Sequence, residues 1–368
     1  MKTIIIDVAP RWLSGENLNF RMTELESLVW TYGGVTIIKR IQKRDEPDYS
    51  TYIGWGKLEE IAILAEELSA ELLVIGNILK PAQLFHIEQF FEKRKFKIKV
   101  WDRVDLILKI FSEHAISPES KLQIELASIK HMWPRIFGMG MELSRQWGGS
   151  RLARGLGETN TEIMKRHLRE HEYKIRERLK VYERTRSEHR KARKRKDLKT
   201  VGIVGYTNAG KSALANALTK KWVLSENKLF ATLGTSVGKM WVAAGEGRGQ
   251  EILICDTIWF IRDLPPDLID AFRSTLEDSI ESDLLLHVID ANDPNREGKI
   301  KVVNTTLEQI GAKNDRILVF NKCDLLSSEQ KQEILCNPLF QEAILVSAAN
   351  GEIGIKELKE RIMNEIGY

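Results

Sequence analysis

The 368-residue chain has no apolar run near the roughly 20 residues that a helical membrane span requires. A bilayer-spanning helix is therefore excluded as the basis of its function. The opening Met1-Lys-Thr-Ile-Ile-Ile-Asp7 has too short an apolar stretch for a secretory signal and meets a carboxylate at once. Cysteine is scarce: Cys255, Cys323 and Cys336 are scattered, without the spacing of a metal site. They are expected to be reduced thiols in a cytoplasmic protein. There is no internal repeat, and no low-complexity tract beyond one basic run. At 43% hydrophobic and 29% charged residues, the chain reads as globular, with length for two to three domains.

The net charge of +4 conceals an asymmetry. Residues 165–199 carry 16 Lys/Arg against 6 Asp/Glu, whereas residues 1–164 carry 22 of each sign and residues 200–368 carry 18 against 24. Positive charge is thus concentrated in one segment. Acids interspersed through 170–188 suit a solvated helix face, but Arg190–Lys196 contains none, which favours a polyanionic partner such as RNA.

The pattern predicts three regions. Residues 1–110 alternate short branched runs (Thr3–Ile6, Gly34–Ile38, Glu71–Ile75, Phe96–Trp101) with helical spacing (Met22–Tyr32, Lys57–Ser69, Pro81–Lys95), a small α/β domain with a partly parallel sheet. Residues 111–198 hold two stripes at helical spacing. One runs Leu122, Leu126, Ile129, Trp133 after the start signal Ser117-Pro-Glu-Ser120; the other runs Met164, Leu168, Ile175, Leu179, Tyr182. They predict a long basic helical hairpin whose tip is the Gly- and Arg-rich loop Arg135–Asn160. Residues 199–368 alternate strands (Thr200–Val204, Met240–Ala244, Glu251–Cys255, Leu284–Asp290, Arg316–Phe320, Ala343–Val346) with helices, a doubly wound α/β domain with ligand loops at strand C-termini.

The third region carries the chemistry. Gly205-Tyr206-Thr207-Asn208-Ala209-Gly210-Lys211-Ser212 is a complete G-x-x-x-x-G-K-[ST] phosphate loop, preceded by the apolar Val201–Val204 and followed by the helix-forming Ala213–Leu218. Backbone N–H groups in such a loop converge on phosphate oxygens, and the helix N-terminus adds partial positive charge. Lys211 would reach the β/γ-phosphates, and the Ser212 hydroxyl would ligate Mg²⁺. Asp256-Thr257 ends a strand where an acidic residue would hold the same ion. Asn321-Lys322-Cys323-Asp324 follows another strand. A carboxylate there can accept from the N1–H and 2-amino group of guanine, a donor pair adenine lacks. Residues 1–110 contain no phosphate loop; Gly54-Trp-Gly56 is a lone Gly pair and reads as a turn.

Beyond these motifs the chain resembles the HflX family of ribosome-associated GTPases over nearly all its length. The resemblance is carried by Tyr52-Ile-Gly-Trp-Gly-Lys-Leu-Glu-Glu60, Asp102-Arg-Val-Asp-Leu-Ile-Leu108, Lys121-Leu-Gln-Ile-Glu-Leu-Ala127 and Gly155-Leu-Gly-Glu-Thr-Asn-Thr-Glu162. Phe230-Ala231-Thr232-Leu233, followed by Gly234, is similar to the family's first switch, and Phe260–Pro266 to the segment after its second. Ser347-Ala348-Ala349 is similar to the loop that completes a guanine pocket. The resemblance implies GTP/GDP as ligand and Mg²⁺ held by Ser212, Thr232 and Asp256, with Lys211 and Thr232 acting on the transferring phosphoryl group. It further implies a monomer that binds the large ribosomal subunit and its rRNA and acts in ribosome splitting, rescue or biogenesis. The Lys165–Lys199 segment, with Arg145, Arg151 and Arg154, would meet rRNA phosphates, and Trp133 and Trp147 would stack on bases. Asn208 has two readings: a K⁺ ligand beside the phosphates, as in several GTPases with Asn here, or a residue that tolerates a tight turn.

The chain departs from the family in its switches. Family members end the second switch strand with Asp-x-x-Gly; here it reads Asp256-Thr257-Ile258-Trp259. Glycine there gives its N–H to the γ-phosphate and lets the peptide rotate, a freedom that a Trp side chain restricts. No glutamine follows to orient water: the next residue is Phe260. The expectation is retained GTP binding with weakened turnover. The alternative is a ribosome-binding module with a degenerate switch and little or no hydrolysis.

Overall fold

The computed structural model describes residues 1–131, 151–196, 198–219, 236–244, 248–256, 260–272, 276–277, 280–340, 342–349 and 353–367. The chain divides into two compact units, residues 1–113 with 122–178, and residues 114–121 with 179–368.

The first unit is built on four strands, β1 (Lys2–Ala9), β2 (Val35–Lys43), β3 (Leu72–Ile75) and β4 (Lys99–Asp102), in the order β2-β1-β3-β4. All three pairings are parallel, so the partly parallel sheet expected from the sequence is wholly parallel. Parallel pairing requires crossover helices, which cover both faces. These are α1 (Gly15–Thr31), α2 (Trp55–Leu68) and α3 (Pro81–Lys93), with α4 (Arg103–His114) following β4. The continuous burial of Ile4, Ile5, Ile6 and of Leu72–Ile75 is the result. Ile4, Ile6, Leu73 and Ile75 share one core with Leu58, Ile61, Ala65, Ile87 and Phe91. Two ion pairs are sealed beside the sheet: Arg21 grips Asp7, and Arg103 donates to Glu24 at 2.6 Å. Asp102 accepts from the Asp105 amide at 2.8 Å and starts α4.

The stripe after Ser117 forms α5 (118–131), whose first turn is fixed by the Ser120 amide donating to Ser117 Oγ at 3.0 Å. The next helix, α6, runs Arg151–Arg195. Glu125 meets His171 at 2.7 Å and Glu119 meets Arg186 at 2.7 Å, the pairing order of antiparallel helices. One expectation is corrected here. Residues 151–160, read as part of the tip loop, are helical. Extending an existing helix adds a hydrogen bond per residue, and that gain offsets the ~1 kcal/mol cost of each of Gly155 and Gly157. Residues 132–150 lie outside the described residues.

The second unit holds β5 (Thr200–Gly205), β6 (Ser236–Ala244), β7 (Arg248–Asp256), β8 (Leu284–Asp290), β9 (Arg316–Asn321) and β10 (Ile344–Leu345), in the order β10-β9-β8-β5-β7-β6. Five strands are parallel, whereas β6 pairs antiparallel with β7. No helix-length segment separates those two strands, so a hairpin replaces the crossover there. The described helices are α7 (Lys211–Thr219), α8 (Pro266–Ala271), α9 (Arg296–Gln309), α10 (Ser328–Cys336) and α11 (Ile355–Ile366). Leu214 and Leu218 of α7 and Leu358 and Ile362 of α11 pack with Val201, Ile203, Leu286, Val288 and Val319 on one face. On the other face Ile289, Phe320, Ile334 and Phe340 form a second core. This is the doubly wound arrangement, in which loops leaving the C-terminal ends of the strands gather at one edge. Among the described residues no helix is long and apolar enough to cross a membrane.

Candidate nucleotide-binding site

The phosphate loop leaves the C-terminal end of β5, between β7 and β8. Its backbone follows from its glycines. Gly205 sits at φ 155°, and a Cβ there would lie 2.3 Å from the Val288 carbonyl oxygen. Gly210 sits at φ 86°, and its Cβ would lie 2.1 Å from Asn321 Nδ2. Any side chain at either position would displace a neighbouring strand or its loop. Asn208 takes φ 61°, a left-handed conformation that Asn tolerates. The turn reading of Asn208 thus has a geometric basis. Helix α7 begins at Lys211, which places helix N-terminal amides at the loop.

Lys211 is 3% exposed. Its Nζ donates to the carbonyls of Gly205 at 3.0 Å and Tyr206 at 2.7 Å, so the ammonium is held over the loop. Burial pushes its pKa down to about 7, partly opposed by the Asp256 carboxylate. Ser212 Oγ and Asp256 Oδ2 lie 2.9 Å apart. A hydroxyl and a carboxylate side by side, next to the lysine of the phosphate-loop motif, are hard-oxygen donors of the kind Mg²⁺ takes, and the residues present fit that ion.

Asn321, 2% exposed, ends β9 and braces the loop from below. Its Nδ2 donates to the Ala209 carbonyl at 3.0 Å, while its Oδ1 accepts from the Ala348 amide at 3.0 Å. Lys322, at φ 63°, donates to the Asn208 carbonyl at 2.9 Å and to Asp290 at 2.6 Å. Asp324 accepts from Ser347 Oγ at 2.6 Å. Asn321, Lys322, Asp324, Ser347 and Ala348, picked out as separate sequence elements, therefore form one bonded unit with Asn208 and Ala209. Ala349 follows in the same loop, exposed. Asp324 thus sits in a loop that Asn321 bonds to the phosphate loop, with one carboxylate oxygen oriented by a serine.

Tyr206 is expected among the ligand-binding residues as part of the phosphate loop. Its side chain is 4% exposed; Oη accepts from the Arg262 amide at 2.9 Å, and Lys299 Nζ stands 4.9 Å over the ring. A cleft of about 70 Å³ lies behind the loop, lined by Tyr206, Asn208, His287, Asp293 and Arg296 among others. His287, 1% exposed, is pushed down to about 3 by burial and by the nearby Arg316 and Lys211 charges, so it is neutral near pH 7. His287, Asp290 and Lys299 carried no sequence signal: a histidine within an apolar strand reads as core. The expected switch residues Phe230, Ala231, Thr232, Leu233 and Gly234, and Thr257, Ile258 and Trp259, lie outside the described residues. So do Trp133, Arg145 and Trp147.

Comparison with known proteins matches three families in succession: residues 19–112 to GTP-binding GTPase N-terminal, 114–193 to GTP-binding GTPase Middle Region, and 200–322 to 50S ribosome-binding GTPase. Among curated proteins, the chain is 41% identical to GTPase HflX of Caldanaerobacter subterraneus subsp. tengcongensis, over 94% of this chain and 77% of that one. It is 40% identical to GTPase HflX of Escherichia coli (83% and 70% covered), and 37% to that of Methanocaldococcus jannaschii (91% and 80%). Among solved structures, a complex of SsGBP with GDP covers 99% of this chain and 98% of its own, at 25% identity and a TM-score of 0.53.

Proposed function

We propose that this chain, which belongs to the HflX family of GTPases, couples its GTP cycle to docking on the large ribosomal subunit and thereby splits, rescues or helps assemble ribosomes. The observation that carries the proposal is the bonded unit of Asn321, Ala209 and Ala348. It ties the phosphate loop to the Asn321–Asp324 and Ser347–Ala348 loops, which in this reading hold the guanine base, at the C-terminal strand edge of the unit whose residues 200–322 match the 50S ribosome-binding GTPases.

In this reading the loop amides and Lys211 bind the β/γ-phosphates, and Asp324 accepts from guanine. Ser212 and Asp256, with Thr232 from the first switch, would hold Mg²⁺, which would supply charge neutralisation at the transferring phosphoryl group. Burial of Lys211 strengthens its attraction to phosphate, because little water competes. K⁺ beside Asn208 would add a further cation at the phosphates. Residues 1–110 and 111–198 serve as the rRNA-facing parts, and 199–368 as the nucleotide-driven part. The exposed cations of α6, among them Arg166, Lys174 and Arg178, supply phosphate contacts. The chain acts as a monomer in the cytoplasm.

A second reading is favoured by one observation, Trp259 in place of the usual glycine: a ribosome-binding module with little turnover. Co-sedimentation with large subunits, run with a non-hydrolysable GTP analogue, with GDP and without nucleotide, separates the two. The GTPase reading expects retention mainly with the analogue, and retention that weakens steeply with salt. Equal retention under all three conditions would support the module instead.

A further inference from the structure

The side chain of Tyr206 lies where no phosphate contact requires one. A phosphate loop binds its anion through main-chain amides, and the second position of the motif is unconstrained by that chemistry. Yet Tyr206 is buried, and it ends on a specific main-chain group. Among the described residues, at least three hydrogen bonds attach the chain beyond the second switch to the phosphate loop. Phe260 N–H donates to the Gly205 carbonyl at 3.2 Å, and Thr207 N–H donates to the Phe260 carbonyl at 3.0 Å. Arg262 N–H donates to Tyr206 Oη at 2.9 Å. The last involves a side chain, so it depends on the choice of residue at position 206.

The ring itself meets Lys299 Nζ at 4.9 Å, a cation–π distance, and Lys299 is in turn paired with Asp293. The Tyr206 carbonyl also accepts from Lys211 Nζ at 2.7 Å. One residue therefore touches the phosphate-binding ammonium through its backbone, the post-switch chain through its hydroxyl, and α9 through its ring.

We infer that Tyr206 is a positioning residue for hydrolysis: it fixes the Phe260–Arg262 segment against the phosphate loop and ties both to α9 through Lys299. The inference rests on the GTPase reading above. It predicts that the hydroxyl serves the chemical step more than nucleotide affinity, because Oη bonds to the post-switch backbone.

Tyr206→Phe in the full chain removes the hydroxyl and keeps the ring. Steady-state hydrolysis with large subunits is expected to show kcat reduced about fivefold, with KM for GTP changed less than twofold. Hydrogen exchange of the GDP-bound protein is expected to show the Arg262 amide exchanging at least about tenfold faster, with β5 unaltered. Lys299→Met, which leaves the phosphate loop intact, is expected to lower kcat in the same direction. Combined with Tyr206→Phe it should lower kcat less than the product of the single effects. An unchanged kcat with unchanged Arg262 exchange overturns the inference. So does a raised KM at constant kcat, which would make Tyr206 a wall of the nucleotide pocket. If the parent chain itself shows no turnover, the GTPase reading fails, and the Arg262 exchange rate still decides whether the hydroxyl holds the segment.

Discussion

Asn321 is bonded at both ends of its amide: Nδ2 donates to the Ala209 carbonyl at 3.0 Å, and Oδ1 accepts from the Ala348 amide at 3.0 Å. One side chain thus joins the loop that would bind phosphates to the loop that would close over a base. A nucleotide spans those two loops, so its affinity depends on the distance between them being fixed before it arrives.

Asn321→Ala removes both bonds and leaves the Ala209 carbonyl and the Ala348 amide without their partner. The expected loss is roughly 2–3 kcal/mol. GDP affinity measured by calorimetry should fall about thirtyfold or more, with a lower melting temperature for the nucleotide-free protein. A variant that binds GDP as well as the parent would show that the two loops are held by other contacts.

Asp324→Asn tests the base. Its carboxylate offers two acceptors towards guanine, and Ser347 Oγ at 2.6 Å restrains one oxygen. The amide offers one acceptor and one donor, which mismatches the guanine 2-amino group but suits a 2-carbonyl. The preference should pass from guanine to xanthine nucleotides, with GDP affinity reduced about a hundredfold. Competition between labelled GDP and unlabelled XDP reads this directly, and retained guanine preference would remove Asp324 from the base pocket.

How much of this was legible beforehand differs by element. The phosphate loop, Asp256 and Asn321–Asp324 stand out in the sequence as residue types at fixed spacing, and the fold brings them together: Asp256 meets Ser212 and Asn321 meets Ala209. Strands such as Leu284–Asp290 were legible from their unbroken branched and apolar runs. The start of β6 at Ser236 was not, because Ser236-Val-Gly-Lys239 alternates too weakly and gains its strand character by pairing with β7. Residues 151–160 looked like a loop because glycine propensity is local, whereas helix extension depends on the 35 residues that follow. The orientation of Tyr206 was hidden for a different reason. Its hydroxyl meets a main-chain group 56 residues away, and a backbone amide carries no sequence signature.

Trp259 stands where the family resemblance has glycine. A bulky residue narrows the φ/ψ range available to a peptide that must present its N–H to a γ-phosphate. Trp259→Gly is expected to raise single-turnover hydrolysis by an order of magnitude or more, with GDP affinity little changed. The comparison should be made with and without large subunits. An unaltered rate in both would mean that the tryptophan does not limit the switch.

Lys211 should make nucleotide binding a proton-linked event. Its folded pKa is pushed down to about 7 from 10.5. Between those values the unfolded chain binds a proton that the folded, nucleotide-free protein does not, so stability should rise with pH across that window. A bound polyphosphate restores the charged form. At pH 8, GDP binding should therefore take up close to one proton, and at pH 6 almost none. Calorimetry in buffers of different ionisation heat measures the uptake, and Lys211→Met should abolish it. The affinity of the parent for GDP should decline above pH 7, approaching tenfold per unit where uptake is complete. Absence of proton uptake at pH 8 would mean that the ammonium stays charged in the empty loop. In that case the two carbonyls at 3.0 and 2.7 Å, with Asp256 nearby, outweigh its burial.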